Sequence, residues 1–324
     1  MRKLGPAARS AALWGLLVIA VVVAALFVPG FLTPTNLANV VTQSAALAFV
    51  AIGQTFVIAA GLIDLSVGQL LGMSVVLTCA LTEGRSELLV PVALVIIALA
   101  IAVGSVHGWL LDRLRLEPLI LTFGSLSILQ GAIFTFTDRS VGRAPEALRW
   151  LANERVMGWP AAGLLLVALG FVAHGLLRRT RFGLQLLATG DDAESARRAG
   201  VDVARIRGAA FVLSAIGAAA GGLLVAGRLG TGYPNAGQGF ELDAIVAAVL
   251  GGTSLAGGRA SIVGTLGAVL VLGVIANVLN LLEVSAFVQT FAKGIIVVGA
   301  ILVASGRRAT GAQAAGPAAP RIVA

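Results

Sequence analysis

The 324-residue chain is 58% hydrophobic and only 12% charged, with a mean hydropathy of +0.98, whereas a soluble domain carries about 25% charged residues. The shortfall recurs along the whole chain, which excludes an ordinary soluble enzyme. The formal charge of +8 does not point to nucleic acid, because the Lys and Arg residues are scattered and form no basic patch interleaved with aromatics.

Inside a bilayer every backbone N–H and C=O must be satisfied internally, which leaves helices or closed barrels. Runs such as Leu13–Val28 and Val90–Ile101 lack the alternating polar positions of a barrel strand. The expectation is therefore an all-α membrane protein. Arg2, Lys3 and Arg9 precede a first apolar stretch that resembles a signal peptide but runs to Val28 without a clear small-x-small site, so it reads as an uncleaved span. In chain order the predicted spans are 12–28, 37–60, 65–82, 90–112, 118–137, 161–177, 208–227, 241–256, 261–282 and 287–304. The breaks between them are polar or helix-breaking: Pro29-Gly30, Gly61–Asp64, Thr82–Glu87, Glu117-Pro118 and Asp138–Pro160. These ten spans make one membrane domain over residues 1–304. Residues 305–324, rich in Ala, Pro and Gly, read as a disordered cytoplasmic tail.

Charge bias sets the orientation. With the N terminus inside, sixteen of the 23 Lys and Arg residues fall on cytoplasmic segments and six outside, while Lys293 lies within a span. Both termini and Arg181–Arg207 are then cytoplasmic. The 41 glycines, many at helical spacing, predict closely approaching helices.

No reactive constellation emerges. His107 and His174 are the only histidines and Cys79 the only cysteine, so no cysteine-based metal site, disulfide or cofactor is expected. The segment Gly251-Gly-Thr-Ser-Leu-Ala-Gly-Gly-Arg259 lacks the Gly-Lys-Ser/Thr ending of a phosphate loop and joins two predicted spans. Any ATPase must sit on another chain.

Polar residues within or beside spans stand out instead. Gln43, Gln54, Asn277, Asn280, Gln289 and Lys293 fit either a polar solute path or interhelical hydrogen bonds, since polar groups in lipid face the bundle interior. Asn277 and Asn280 share one helix face, as do Gln289 and Lys293. Asp64 interrupts two apolar runs at Gly61-Leu-Ile-Asp-Leu-Ser-Val-Gly68 and is expected to cap the third span. The stretch Asp191–Gly200 opens with two capping acids and continues in helix formers, predicting a short helix within the longest inside loop.

Three segments together resemble the permease family of ABC importers for ribose, xylose and related monosaccharides. They are Ala51–Gly68, with Asp64, Ser66 and Gly68; Arg181–Gly200; and Phe240–Arg259, with Glu241 and Asp243. Their order and spacing match over about residues 30–305. The chain departs from the family pattern at Gly61-Leu62, where a glycine pair is more usual, and at Asp191-Asp192, where Gly-Asn is. The resemblance implies the ten-helix permease fold of cobalamin importers, with halves related by an inverted repeat. It implies a bacterial inner-membrane location, no enzymatic activity of the chain itself, a cytoplasmic ABC ATPase, a periplasmic sugar-binding protein, and a second permease copy or paralogue. It also marks Asp191, Asp192, Glu194, Arg197, Arg198 and Gly200 as the segment that couples to the ATPase. A nucleoside, autoinducer or branched-chain amino-acid permease is the nearest rival reading, followed by an ion-coupled carrier.

Overall fold

The computed structural model describes residues 6–285 and residues 288, 289, 291, 294 and 295. Twelve α-helices follow one another in this part: α1 (Pro6–Phe27), α2 (Pro34–Ala59), α3 (Val67–Thr82), α4 (Leu89–Leu114), α5 (Pro118–Phe136), α6 (Glu146–Asn153), α7 (Ala161–Arg179), α8 (Arg181–Asp191), α9 (Ala193–Arg198), α10 (Val203–Leu229), α11 (Phe240–Leu250) and α12 (Ile262–Leu281). A two-residue hairpin, β1 (Arg155–Val156) and β2 (Trp159–Pro160), lies between α6 and α7.

Local sequence explains the boundaries. Thr33 caps α2 by accepting the Asn36 N–H, and Pro34 fills the first helical position, where its missing N–H costs nothing. Pro118 opens α5 in the same way. Asp202 caps α10, which closes on Gly230 in the left-handed region. Ser261 caps α12 through Gly264 N–H at 3.1 Å.

The six helices long and apolar enough to cross a membrane are α2, α4 (with the short 3-10 turn before it), α5, α7, α10 and α12, matching six of the predicted spans. Helices α1 and α3 supply shorter apolar stretches, Leu13–Phe27 and Val67–Thr82. The span predicted at 241–256 needs correcting. Helix α11 has 11 residues, about 16 Å at 1.5 Å per residue, roughly half a 30 Å hydrocarbon core. Gly251 and Gly252 end it, and residues 253–261 form a loop. The span predicted at 287–304, Lys293 and the tail at 305–324 lie largely or wholly outside the described residues. Arg181–Arg207 is likewise more than a loop, for it holds α8, α9 and the start of α10.

Two compact units, Met1–Glu283 and Val284–Ala324, are described separately. In the first, α2 forms the centre: 78% of its apolar window is enclosed, against 22% for α4 and for α5. Helix α10 packs on α2, α3 and α4, α12 on α2 and α11, and α1 on α12. A main core of residues such as Ala48, Val50, Leu71 and Ala218 fills the bundle. A second cluster, including Phe56, Leu111, Leu177, Leu186 and Ile206, seals the end where α2, α4 and α7 finish and α10 begins. Burial does not follow polarity here: Phe171 is 76% and Ile128 73% exposed, as lipid-facing surfaces require. In the second unit, Gln289 N–H donates to Ser285 O at 3.0 Å and its side-chain amide donates to Val284 O at 2.9 Å.

Candidate functional site

The stretch between α2 and α3 is built around one carboxylate. Gly61 takes φ +78 and turns the chain out of α2. Asp64, 1% exposed, then accepts from Ser66 N–H at 3.0 Å and from Ser66 O–H at 2.6 Å. The expected role of Asp64 is thereby corrected. Ser66 occupies the cap position of α3, and Asp64 bonds Ser66 without reaching the first-turn N–H groups of the helix. The aspartate shapes the approach to the helix, because a short acidic side chain bonds its own backbone two residues on.

Gln54, fully buried on α2, belongs to the same construction. In the amide orientation that satisfies both groups, its nitrogen donates to Asp64 O and its oxygen accepts from Asp64 N–H, each at 3.2 Å. Gln54 thus clamps the turn and, in this conformation, faces no open path. Thr122 of α5 donates to Ile63 O at 3.2 Å. His107 of α4 bonds Ser125 of α5 at 2.7 Å.

The segment between α10 and α11 runs back along α3. Gly232 packs against Val76 and Cys79 near the end of α3 and pairs with Val141. Gly237 packs against Gly68 and Gly72 in its first turns, so close that any side chain at 237 would strike the Gly68 carbonyl oxygen. Helix α11 therefore starts beside the start of α3. Glu241 and Asp243 occupy its first turn, where acids complement the helix dipole. Both are half-buried. The Glu241 carboxylate lies on Gly68, with one oxygen accepting from Gly239 N–H at 3.2 Å and the other lacking a hydrogen-bond partner among the described residues.

At the opposite end of α11 three backbones meet. Gly258 N–H donates to Ala59 O at 3.0 Å. A side chain at Gly190, near the end of α8, would collide with that same Ala59 oxygen, and one at Gly257 with the Gly190 carbonyl. Glycine is required because main chain touches main chain. Two buried hydroxyls beside this junction, Thr189 and Thr253, have no hydrogen-bond partner among the described residues.

Helix α9 hangs from the junction. Asp192 caps it, accepting from Glu194 N–H at 2.9 Å, Ser195 N–H at 3.2 Å and Ser195 O–H at 2.7 Å. The Ser195 hydroxyl, then the two main-chain N–H groups, hold its carboxyl below the usual carboxylate range. Asp191 departs from the two-cap expectation, being the last residue of α8. Glu194 pairs with Arg197 at 2.8 Å and Arg198 at 3.2 Å on an exposed face. Gly200, at φ +85, ends the turn. Ala196 alone in α9 is buried.

The remaining polar residues are dispersed. Asn277 and Asn36 exchange two amide hydrogen bonds of 2.8 Å between α12 and α2, and Asn36 also donates to Phe31 O at 2.9 Å. Asn280 is exposed and Gln43 half-buried. Sequence reading missed Asn36, hidden in a Thr-Pro-Thr-Asn turn signal, and the Thr55–Thr265 contact of 2.9 Å. Hydroxyls on apolar helices carry no signal of their partner. Among the described residues no three His, Cys, Asp or Glu side chains are grouped to hold a metal ion.

Comparison with known proteins adds a second kind of finding. The family described as "Branched-chain amino acid transport system / permease component" matches residues 36–305. The ribose import permease of Bacillus subtilis (strain 168) is 35% identical over 307 residues, covering 93% of this chain and 92% of that protein. The ribose import permease of Escherichia coli (strain K12) is 36% identical over 89% of this chain and 91% of its own length. The L-arabinose transport system permease of the same strain is 34% identical, covering 89% of each. No solved structure matches the chain.

Proposed function

Because the chain belongs to the branched-chain amino acid transport system permease family, we propose that it is the membrane-spanning subunit of an ATP-driven importer for a monosaccharide, a pentose such as ribose or a related sugar. The observation that carries the sugar is the similarity to ribose and arabinose permeases along nearly the full length of both proteins. The chain itself hydrolyses nothing. A cytoplasmic ABC ATPase supplies the energy, a periplasmic sugar-binding protein delivers the solute, and a second copy or a paralogous permease completes the path across the bacterial inner membrane.

The geometry supports a route for the work. Closure of the ATPase displaces α9 through Asp191, Asp192, Glu194, Arg197, Arg198 and Gly200. The Gly190 junction passes that displacement to the end of α2 and to the loop after α11 by main-chain contact. Side chains would absorb such a motion by changing rotamer. Main chain on main chain does not. The Asp64 turn and Glu241 sit further along these two elements and move with them. Short, interrupted helices such as α11 line the solute sites of secondary transporters, and the same device fits a ten-span arrangement of the cobalamin-importer type with its inverted repeat. Gln43, Asn280, Gln289 and Lys293 remain the residues proposed for the path. Gln54 and Asn277 serve the turn and the α2–α12 contact instead.

The test is uptake of labelled sugar into proteoliposomes holding the permease, its ATPase and its binding protein. ATP-dependent accumulation of ribose or arabinose is expected. Accumulation of leucine or valine instead would replace the sugar with the branched-chain amino acid of the family description.

A further inference from the structure

At the corner between α7 and α8 an apolar stripe ends in unpaired positive charge. Leu164, Val167, Phe171 and Val172 lie along one side of α7, with Phe171 76% and Val172 68% exposed. Arg178 and Arg179 follow about two turns beyond Phe171 and Val172, one on each line of the stripe, as the helical repeat dictates, and both are exposed. Thr180 then breaks the helix, capping α8 through Gly183 N–H at 3.2 Å. Arg181 and Leu184, the latter 71% exposed, continue the surface on α8. Arg178 donates to Ala260 O at 3.0 Å, which brings the backbone of exposed Arg259 to the same corner.

Among the described residues no acid forms an ion pair with these cations. The three ion pairs among the described residues, Arg197–Glu194, Arg198–Glu194 and Arg205–Asp202, lie on α9 and at the start of α10. Arginine in excess of its partners, at the end of a lipid-facing stripe, calls for an anion that brings its own apolar part. A free anion would leave Phe171, Val172 and Leu184 in water. A partner protein would have to present acids and a large apolar face together.

We propose that the α7–α8 corner binds the phosphodiester head group of an anionic phospholipid between Arg178, Arg179 and Arg181, with its acyl chains along Phe171 and Val172. Guanidinium suits this ligand, because its planar fork binds phosphate oxygens two at a time. Basic pockets between spanning helices are recognised lipid head-group sites on the side facing the cytoplasm. The inference rests on the reading that α7 crosses the bilayer with this end inside.

The full chain, purified in zwitterionic detergent, is mixed with phosphatidylglycerol or phosphatidylcholine, and bound lipid is counted by native mass spectrometry. This readout needs neither transport nor ATPase, so its failure and failure of the transport reading are distinguishable. The wild type should retain phosphatidylglycerol over phosphatidylcholine. Arg179→Gln with Arg181→Gln should lower that preference by about twenty-fivefold, since each arginine near an anionic surface contributes on the order of a fivefold attraction. Both side chains are exposed, and an unchanged thermal midpoint in detergent alone would verify folding. Should the double variant not fold, Arg179→Gln alone should give a smaller loss of the same sign. Inorganic phosphate at millimolar concentration should displace nothing, and displacement would show an anion site without lipid. Undiminished phosphatidylglycerol retention in the folded variants overturns the proposal. Undiminished retention with loss of ATPase co-purification would assign the corner to the ATPase.

Discussion

The Asn36–Asn277 pair shows how one polar contact inside an apolar bundle decides between roles that a sequence leaves open. Each amide donates to and accepts from the other at 2.8 Å, and Asn36 and Asn277 are only 7% and 6% exposed. Removing one partner strands the other in a place without water, which costs more than the bond itself contributes. Interhelical polar contacts in lipid contribute about 0.6 kcal/mol on average and reach about 1.7. Asn277→Ala or Asn36→Ala should therefore lower stability by about 1–2 kcal/mol, whereas Asn36→Leu with Asn277→Leu should recover most of the loss. Thermal unfolding in detergent reads the cycle. Additive single losses in the double variant would show that the two amides act apart. Asp64 belongs to the same scale. Its residue type and neighbours in sequence marked a turn, but its partner Gln54 lies near the end of α2, inside the helix, and only the fold discloses that clamp.

Helix α9 is six residues long, too short to stand alone in water. It persists because Asp192 caps it, Gly200 closes it, Glu194 ties its two arginines, and Ala196 inserts below. Its outward face is thus charged and rigid, which suits a lever. Arg197→Glu with Arg198→Glu should abolish co-purification with the ATPase, because like charges then meet the same partner surface. Arg197→Gln with Arg198→Gln should weaken it less, and this variant controls for repulsion from Glu194. Insertion should survive both, since Arg178, Arg179, Arg181, Arg205 and Arg207 still mark this segment as inside. Full ATPase binding and stimulated hydrolysis in the reversed variant would place the contact elsewhere, at the Gly257–Arg259 loop first. The helix itself was legible from Asp-Asp followed by Ala, Glu and Arg. That Asp191 finishes α8 was not, because two adjacent acids can each cap a helix and tertiary packing chooses between them.

At the scale of the whole molecule, long apolar runs announced α2, α4, α5, α7, α10 and α12, because lipid permits no other way to satisfy their backbones. Helix α11 was over-extended for the same reason. Its glycine-rich continuation is apolar enough to pass for a span, and hydropathy does not register the left-handed turns at Gly252, Gly257 and Gly258. The meeting of the three motif segments was also illegible, since contacts between glycine backbones leave no periodic trace. Orientation is open to a direct measurement. With Cys79→Ser and Ser195→Cys, the new thiol should react with a membrane-impermeant maleimide only from the cytoplasmic side. Labelling from outside would sink the assignment of α9 to the ATPase.

The packing of α1 on α12 and the Asn36–Asn277 bond also set a timetable for biogenesis. The two asparagines stand 241 positions apart, so at about 5–20 residues per second Asn36 leaves the ribosome some ten to fifty seconds before its partner exists. Throughout that interval a buried amide must borrow bonds from lipid head groups, water or an insertase. The bundle is stitched shut when α12 arrives, and a nascent chain arrested before it leaves on α2 an asparagine without its interhelical partner, a mark that quality-control proteases can read.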